Sequence, residues 1–264
     1  MIPEQRRRDI LRIILAQGSS TVTELSQSYG VSEMTIRRDL KALAEEGQIQ
    51  TTHGGAVPIT SRAFQHEQRY AAKAHLNIER KRRIACYAAE NFVDANDIII
   101  LESGTTVTAM VPYLQDKESL TVVTNGLYTT NELRAMLSKA TVICTGGILR
   151  DISFTFVGPV AEGFFQQFYA RKLFLSGIGF TLETGLTDPQ MIDTQVKKAM
   201  IARSDRVIVL LDSSKFGIKS FTPVIPARNI NVLVTDSGAP VTAVAELRRM
   251  GVDVHIVAEE TERL

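Results

Sequence analysis

The chain has 264 residues, 44% of them hydrophobic, enough for a small domain plus a larger one with a real core. A formal net charge of +1 excludes bulk positive charge as the source of any attraction to nucleic acid. No apolar run is long enough to span a bilayer and the N-terminus is too polar for a secretory signal, so a cytoplasmic protein is expected. In chain order, Arg6 to Gln17 carries Ile10, Leu11, Ile13, Ile14 and Leu15 at helical spacing, and Gly18 ends that helix. A short second helix follows, capped by Thr21 or Thr23 and burying Leu25, and Tyr29-Gly30-Val31 turns tightly into a third.

The third helix is the most informative stretch. Ser32 is its N-cap, and Ile36, Leu40 and Leu43 at i, i+4 and i+7 mark its buried face. At about 100° per residue, Met34, Arg38, Lys41 and Glu45 point the opposite way, with Thr35 and Arg37 on the flanks. An ordinary surface ion pair from Glu33 to Arg37 is the plain alternative for part of that face. After Gly47, the alternation of 48–52 and the glycine turn of His53-Gly54-Gly55-Ala56-Val57 predict a two-stranded wing.

Thr35-Ile36-Arg37-Arg38-Asp39-Leu40, followed by His53-Gly54-Gly55-Ala56, resembles the N-terminal signature of the DeoR family of bacterial transcription regulators. The resemblance implies a winged helix-turn-helix over residues 1–58 whose third helix enters the major groove of double-stranded operator DNA. Thr35, Arg37, Arg38 and Lys41 are then the expected contacts, with Ser32 and His53 beside them. Arginine forks onto guanine, whereas lysine and backbone N–H groups near Ser32 more often hold phosphates. Residues 1–58 carry seven Lys/Arg against seven Asp/Glu, so attraction to phosphate must come from local placement. Residues 59–83 add seven against two, which confines the cationic excess to this end of the chain.

A connector is expected over 59–74, polar at first and then helix-prone. Arg80-Lys81-Arg82-Arg83 opens an amphipathic helix continued by Ile84, Ala85, Ala88, Ala89 and Phe92; the cluster reads as a solvated face, a DNA contact being the alternative. From residue 98, apolar runs at 98–101, 120–124, 141–145, 172–175, 206–211, 231–235 and 252–257 alternate with helical stretches. That spacing predicts βα units and a mostly parallel sheet in an α/β domain over 75–264. Cys86 and Cys144 suit neither a disulfide framework nor a metal cluster and are expected as small core residues.

In such sheets ligands bind at the carboxyl ends of the strands. Glu102-Ser103-Gly104-Thr105-Thr106 follows the first strand and has the composition of a phosphate cradle, with helix caps as the plainer reading. Thr124-Asn125-Gly126, Thr145-Gly146-Gly147 and Ser176-Gly177-Ile178-Gly179 follow the next three strands, and small polar strand ends converging on one edge predict a pocket. Gly185-Leu186-Thr187, the Asp193 and Lys197 pair four apart, and Asp212-Ser213-Ser214-Lys215 complete the set, although Asp193 and Lys197 also fit a surface i,i+4 pair.

The DeoR resemblance extends through these motifs over residues 75–258, and the sensor domain of that family is similar to ribose 5-phosphate isomerase. It implies a phosphorylated sugar or related metabolite as effector, held around Glu102, Ser103, Gly104, Thr105, Thr106, Thr124 and Asn125. Gly146, Gly147, Gly177, Gly179, Gly185, Asp193, Lys197, Asp212 and Lys215 would complete that site. It further implies a homo-oligomeric repressor of a sugar-metabolism operon, with no cofactor and no metal. An isomerase fused to a DNA-binding domain is the alternative. The isomerase pattern Asp-Gly-Ala-Asp falls where this chain has Ser176-Gly177-Ile178-Gly179, so binding without turnover is expected. Glu102 stands where the family pattern has aspartate and Asp193 where it has glutamate, each moving a carboxylate by about one methylene.

Overall fold

The computed structural model describes residues 3–17, 20–46, 48–52, 54–58 and 69–258. Gly18, Gly47, His53 and most of the expected connector lie outside the described residues. The chain divides into two compact units, Met1–Arg62 and Ala63–Leu264.

The first unit comprises α1 (Pro3–Gln17), β1 (Ser20–Thr21), α2 (Val22–Tyr29), α3 (Glu33–Glu45), β2 (Ile49–Thr51) and β3 (Gly55–Pro58). Thr21 opens α2 with a capping box: its hydroxyl accepts from Glu24 N while the Glu24 carboxylate accepts from Thr21 N. Gly30, at φ 61°, takes the left-handed conformation that closes α2 and turns the chain into α3. Ile10, Ile14, Leu25, Ile36, Leu40, Leu43 and Ile49 form one buried cluster, so the third-helix stripe read from spacing is its core face. Truncating any one of the large aliphatics to Ala costs about 2–5 kcal/mol. A buried ion pair ties the first helix to the third, with Arg6 Nε 2.6 Å from Asp39 Oδ2. The wing has three strands rather than two, in the order β1-β3-β2, because the two residues ahead of α2 pair with β3.

The second unit begins with α4 (Tyr70–His75) and α5 (Ile78–Phe92), then β4 (Ile98–Leu101), α6 (Thr105–Thr108), β5 (Thr121–Thr124), α7 (Leu127–Met136) and β6 (Thr141–Cys144). A short hairpin of β7 (Ile148–Leu149) and β8 (Phe156–Val157) precedes α8 (Pro159–Phe164) and β9 (Ala170–Leu175). Next come β10 (Gly179–Thr181), β11 (Gly185–Asp188), α9 (Met191–Ile201), β12 (Ser204–Leu210) and β13 (Thr222–Ile225). The described chain closes with β14 (Val232–Asp236), α10 (Val241–Arg249) and β15 (Asp253–Val257).

Seven of these strands form one sheet in the order β15-β14-β12-β9-β4-β5-β6, and every neighbouring pair is parallel. Alternate residues supply two cores. Ile99, Leu101, Phe174 and Ile208 pack with α5 and Leu133 of α7 on one face, while Ile100, Leu173, Leu175 and Val209 pack with α8, α9 and α10 on the other. Burial on both faces explains why the inner strands read as continuous Ile/Val runs rather than alternating ones, whereas the edge strands β6 and β15 are only partly buried. The chain winds outward from β4 through β5 to β6, returns to β9 beside β4, and winds outward the other way. The carboxyl ends of β4 and β9 therefore flank the topological switch point.

Two expectations need correction. Residues 179–188, where no strand was expected, form the ribbon β10-β11, which pairs with β13 in a second, antiparallel sheet; strands of three or four residues are too short for periodicity to reveal. Cys86 and Cys144 are half-buried rather than core residues. Cys86 lies on the outer side of α5 with its thiol directed at Glu90, and Cys144 ends the edge strand β6.

Candidate functional site

In the first unit, α3 presents its polar face to solvent. Ser32 caps the helix through Thr35 N, and the two hydroxyls are 2.9 Å apart. Arg37 lies 3.7 Å from Glu33 and Lys41 3.8 Å from Glu45, both as exposed i,i+4 pairs of the kind worth only tenths of a kcal/mol. Arg38 is exposed and has no ion pair among the described residues, leaving its guanidinium uncommitted. Arg37 and Lys41 also line a groove shared with Thr51 and Thr52 of the wing.

In the second unit, the switch point opens into a polar cavity of ≈ 230 Å³. At its base Glu102, just past β4, accepts from Ser176 N and Oγ just past β9, and from Ser103 Oγ. These bonds staple the two central strand ends together. Gly104 is required here, since a Cβ would fall 1.9 Å from Ser176 Oγ and 2.7 Å from Glu102 Oε2. Lys197, buried on α9, reaches into the same node: its ammonium lies 2.5 Å from Asp188 Oδ2, 3.3 Å from Glu102 Oε1 and 2.8 Å from the Ser176 carbonyl. Burial pushes the Lys197 ammonium toward neutrality, but Asp188 and Glu102 outweigh it and hold its pKa raised. Burial pushes the Asp188 carboxyl up against the pull of Lys197. Three acceptors for three N–H donors leave Lys197 saturated by the protein.

A second wall carries Ser153, Thr155 and Asp193. Asp193 does not pair with Lys197 as an i,i+4 surface bridge would. Its carboxylate accepts from Thr155 Oγ1 at 2.8 Å and forms an ion pair with Arg150. The third wall is the elbow between α4 and α5, with Lys73, Leu76, Asn77 and Lys81, facing Asp212, Ser214 and Lys215. Asn77 sits at φ 53° and donates to Asp212 Oδ1 and Ser214 Oγ, which tethers the elbow to the turn after β12. Lys81 is buried, contrary to its reading as part of a solvated basic face, and burial pulls its ammonium down to about 8. The signal was present in the sequence: position 81 shares the helical stripe of Ile84, Ala85, Ala88 and Phe92.

Of the residues singled out from the sequence, Glu102, Ser103, Gly104, Thr105, Thr106 and Asn125 line the cavity. So do Gly177, Asp193, Lys197, Asp212 and Lys215. Thr124, Gly146, Gly147, Gly179 and Gly185 do not. Thr124 is fully buried and its hydroxyl accepts from Gly126 N; Gly146 and Gly147 turn the chain from β6 into β7; Gly179 and Gly185 belong to the β10-β11 ribbon. Ser176, singled out with the strand end 176–179, lines the cavity too, whereas sequence reasoning missed Lys73, Asn77, Lys81, Thr155 and Asp188, which reach it from separate elements. Among the described residues, no group of three or more His, Cys, Asp or Glu is placed to hold a metal ion, and no helix is long and apolar enough to cross a membrane.

A winged helix-turn-helix unit followed by a parallel α/β unit with a polar cavity at its switch point defines a two-part transcription regulator. Residues 6–62 match the DeoR-like helix-turn-helix domain and residues 76–237 the DeoR C terminal sensor domain; the chain belongs to the DeoR family. It is 38% identical over 237 residues to the transcriptional regulator GolR of Listeria innocua, covering 90% of this chain and 92% of that protein. It is 33% identical over 236 residues to the transcriptional repressor AccR of Agrobacterium fabrum, covering 89% and 90%. Among solved structures, ribose 5-phosphate isomerase from Plasmodium falciparum is similar over 52% of each chain, with 15% identity and a TM-score of 0.38.

Proposed function

We propose that this chain is a repressor of a sugar-metabolism operon, released from its operator by a phosphorylated sugar or related metabolite bound at the β4/β9 switch point. The observation that carries the reading is the polarity of the cavity. The lining combines Lys73, Lys81, Lys215 and the 103–106 turn, whose first-turn amides have no acceptor within α6, with carboxylates and hydroxyls. Such a lining suits a small polyol with one anionic group, and the volume is below the ~300–1,000 Å³ of drug-sized sites. The relative AccR, named a repressor, supports the direction of control.

DNA recognition falls to α3, with Arg38 and Arg37 reading base edges and Thr35, Lys41 and the Ser32 cap holding backbone. His53 would add a contact from the wing. A homo-oligomer would present two winged units to half-sites about 10–10.5 bp apart or a multiple of that spacing. The effector acts by binding the DNA-competent and incompetent states with different affinity.

The isomerase alternative has one observation in its favour, a cavity carboxyl at Asp188 whose pKa burial raises. Yet Asp188 Oδ2 is ion-paired to Lys197 and Oδ1 accepts from Ile178 N at 3.0 Å, so neither oxygen is available as a base. The reading is therefore binding without turnover. Its test is a thermal-shift panel of sugar phosphates and their unphosphorylated sugars on the full chain, with gel shifts on DNA upstream of its own gene. The expected result is stabilisation by a phosphorylated member alone, with release of DNA and no product; turnover, or no response to any member, would overturn it.

A further inference from the structure

The turn between β7 and β8 has two faces. Burial alternates along it, with Ser153, Thr155 and Val157 buried and Ile152, Phe154 and Phe156 half-buried. On the cavity side, Thr155 Oγ1 donates to Asp193 Oδ1 at 2.8 Å, the Ser153 and Thr155 hydroxyls are 2.8 Å apart, and Arg150 donates to Ser153 Oγ and pairs with Asp193. On the other side, the Ile152 carbonyl accepts from Tyr70 N at 2.9 Å, and the Phe154 ring meets Tyr128 edge-on at 4.9 Å. Tyr128 in turn stacks on Tyr70, with centroids 4.4 Å apart and planes 8° from parallel. One short turn is thus pinned to α9 through the cavity wall and to α4 through an aromatic stack.

α4 needs that hold. Its six residues are too few for a helix to persist alone in water, Arg69 offers it no side-chain cap, and Tyr70 is its one buried residue. The turn is likewise set by its neighbours rather than by its own preference. Phe154 stands at φ 53°, a left-handed backbone that a bulky side chain rarely adopts. It is kept there because its N–H donates to the Arg150 carbonyl at 2.8 Å, its carbonyl accepts from Leu127 N at 2.9 Å, and its ring abuts Tyr128. Loosening either face lets this backbone relax and so loosens the other.

We propose that the 150–155 turn is a relay, in which the state of the cavity wall at Thr155 and Asp193 sets how firmly Tyr70, and with it α4, is docked. Tyr70 does not line the cavity, so it is a positioning residue acting through α4, the first described helix after the connector. By linkage, whatever tightens the wall tightens α4, and undocking α4 loosens the wall by the same factor. The use of the relay in signalling rests on the cavity being the effector site; the coupling itself is measured without ligand, so the two fail separately.

The test is hydrogen exchange of the full chain, read by mass spectrometry on residues 70–75, with amides of the parallel sheet as the internal standard. Thr155→Val nearly keeps the side-chain shape and removes the bond to Asp193; it should speed exchange of α4 on the order of tenfold and leave the sheet unchanged. Tyr70→Leu, which removes the stack, should speed exchange of α4 and also of residues 150–156, while Tyr70→Phe, which keeps it, should restore most of the protection. In the double variant the effects of Thr155→Val and Tyr70→Leu should fall well short of adding, because a clasp already lost cannot be lost again. If Thr155→Val disturbs the sheet as well, Ser153→Ala carries the same comparison from the same wall. An α4 unprotected in the unmodified chain, an α4 indifferent to the wall variants, or fully additive effects would overturn the relay. None of these outcomes bears on whether sugar phosphates bind, which the thermal-shift panel decides.

Discussion

The ammonium of Lys197 and the carboxylate of Asp188 meet at 2.5 Å inside the protein, and Glu102 closes on the same ammonium at 3.3 Å. The pair joins α9 to β11, and through Glu102 to the end of β4, so it sets the shape of the cavity rather than offering charge to a ligand.

Replacing Lys197 with Met should leave two buried carboxylates without a counter-charge, costing about 3–5 kcal/mol in urea unfolding of the full chain. The sign with pH follows. In the native chain the folded pKa of Lys197 is raised, so its stabilisation is complete below its unfolded value near 10.5 and is lost as pH climbs through the folded value. In the variant Asp188, already raised by burial, loses the pull of Lys197 and rises further above its unfolded value, so the deficit against wild type should shrink as pH falls toward ~4. A deficit independent of pH would place the loss in packing instead.

Gly104→Ala should fail at the site before it fails in the fold. Its Cβ would collide with Ser176 Oγ and Glu102 Oε2, and relief requires breaking the staple between the ends of β4 and β9. Stabilisation by sugar phosphates should disappear while helix content by circular dichroism stays near wild type. Retained ligand response would show that the strand-end staple is not needed for binding.

Arg38→Ala should abolish specific operator binding in gel shifts and leave ligand-induced stabilisation untouched, since the side chain is exposed and has no ion pair among the described residues. If the arginine holds a phosphate rather than a base, weaker binding to all sequences and a salt slope reduced by about one are expected instead. Unchanged gel shifts would sink the assignment of the α3 face.

Asp39→Ala tests the scaffold of that face. Removing the partner of a buried Arg6 should destabilise the first unit by about 3 kcal/mol, visible as an early separate transition in melting of the full chain. DNA binding would then fall without loss of ligand response. A single unshifted transition would mean that the pair contributes little.

Much of the fold was legible in the sequence because it is locally encoded. The Ser32 cap, the Ile36/Leu40/Leu43 stripe and the Gly30 turn each act within a few residues, and the seven apolar runs stand alone as parallel strands, the inner ones buried on both faces. The short ribbon β10-β11 was hidden because its three- and four-residue strands are defined by pairing with distant β13, which no local pattern announces. Lys81 was misread for a different reason: its charge drew attention to the run 80–83, while its place on the apolar stripe of α5 decided its burial.

By itself the sequence determined the family, the two-part organisation of reader and sensor motifs, the seven strands of the parallel sheet, and the polar loops that end the strands, because these depend on residue type at fixed local spacing. Only the tertiary structure decided which polar groups face one another. The crossovers bring together β4, β9, α9 and the α4–α5 elbow, so that residues as far apart as Asn77 and Asp212 touch. Burial then divided otherwise similar lysines, leaving Lys197 charged and saturated between two acids and Lys81 desolvated. Charge state in a dry cavity is set by neighbours in space, which the linear order of the chain does not specify.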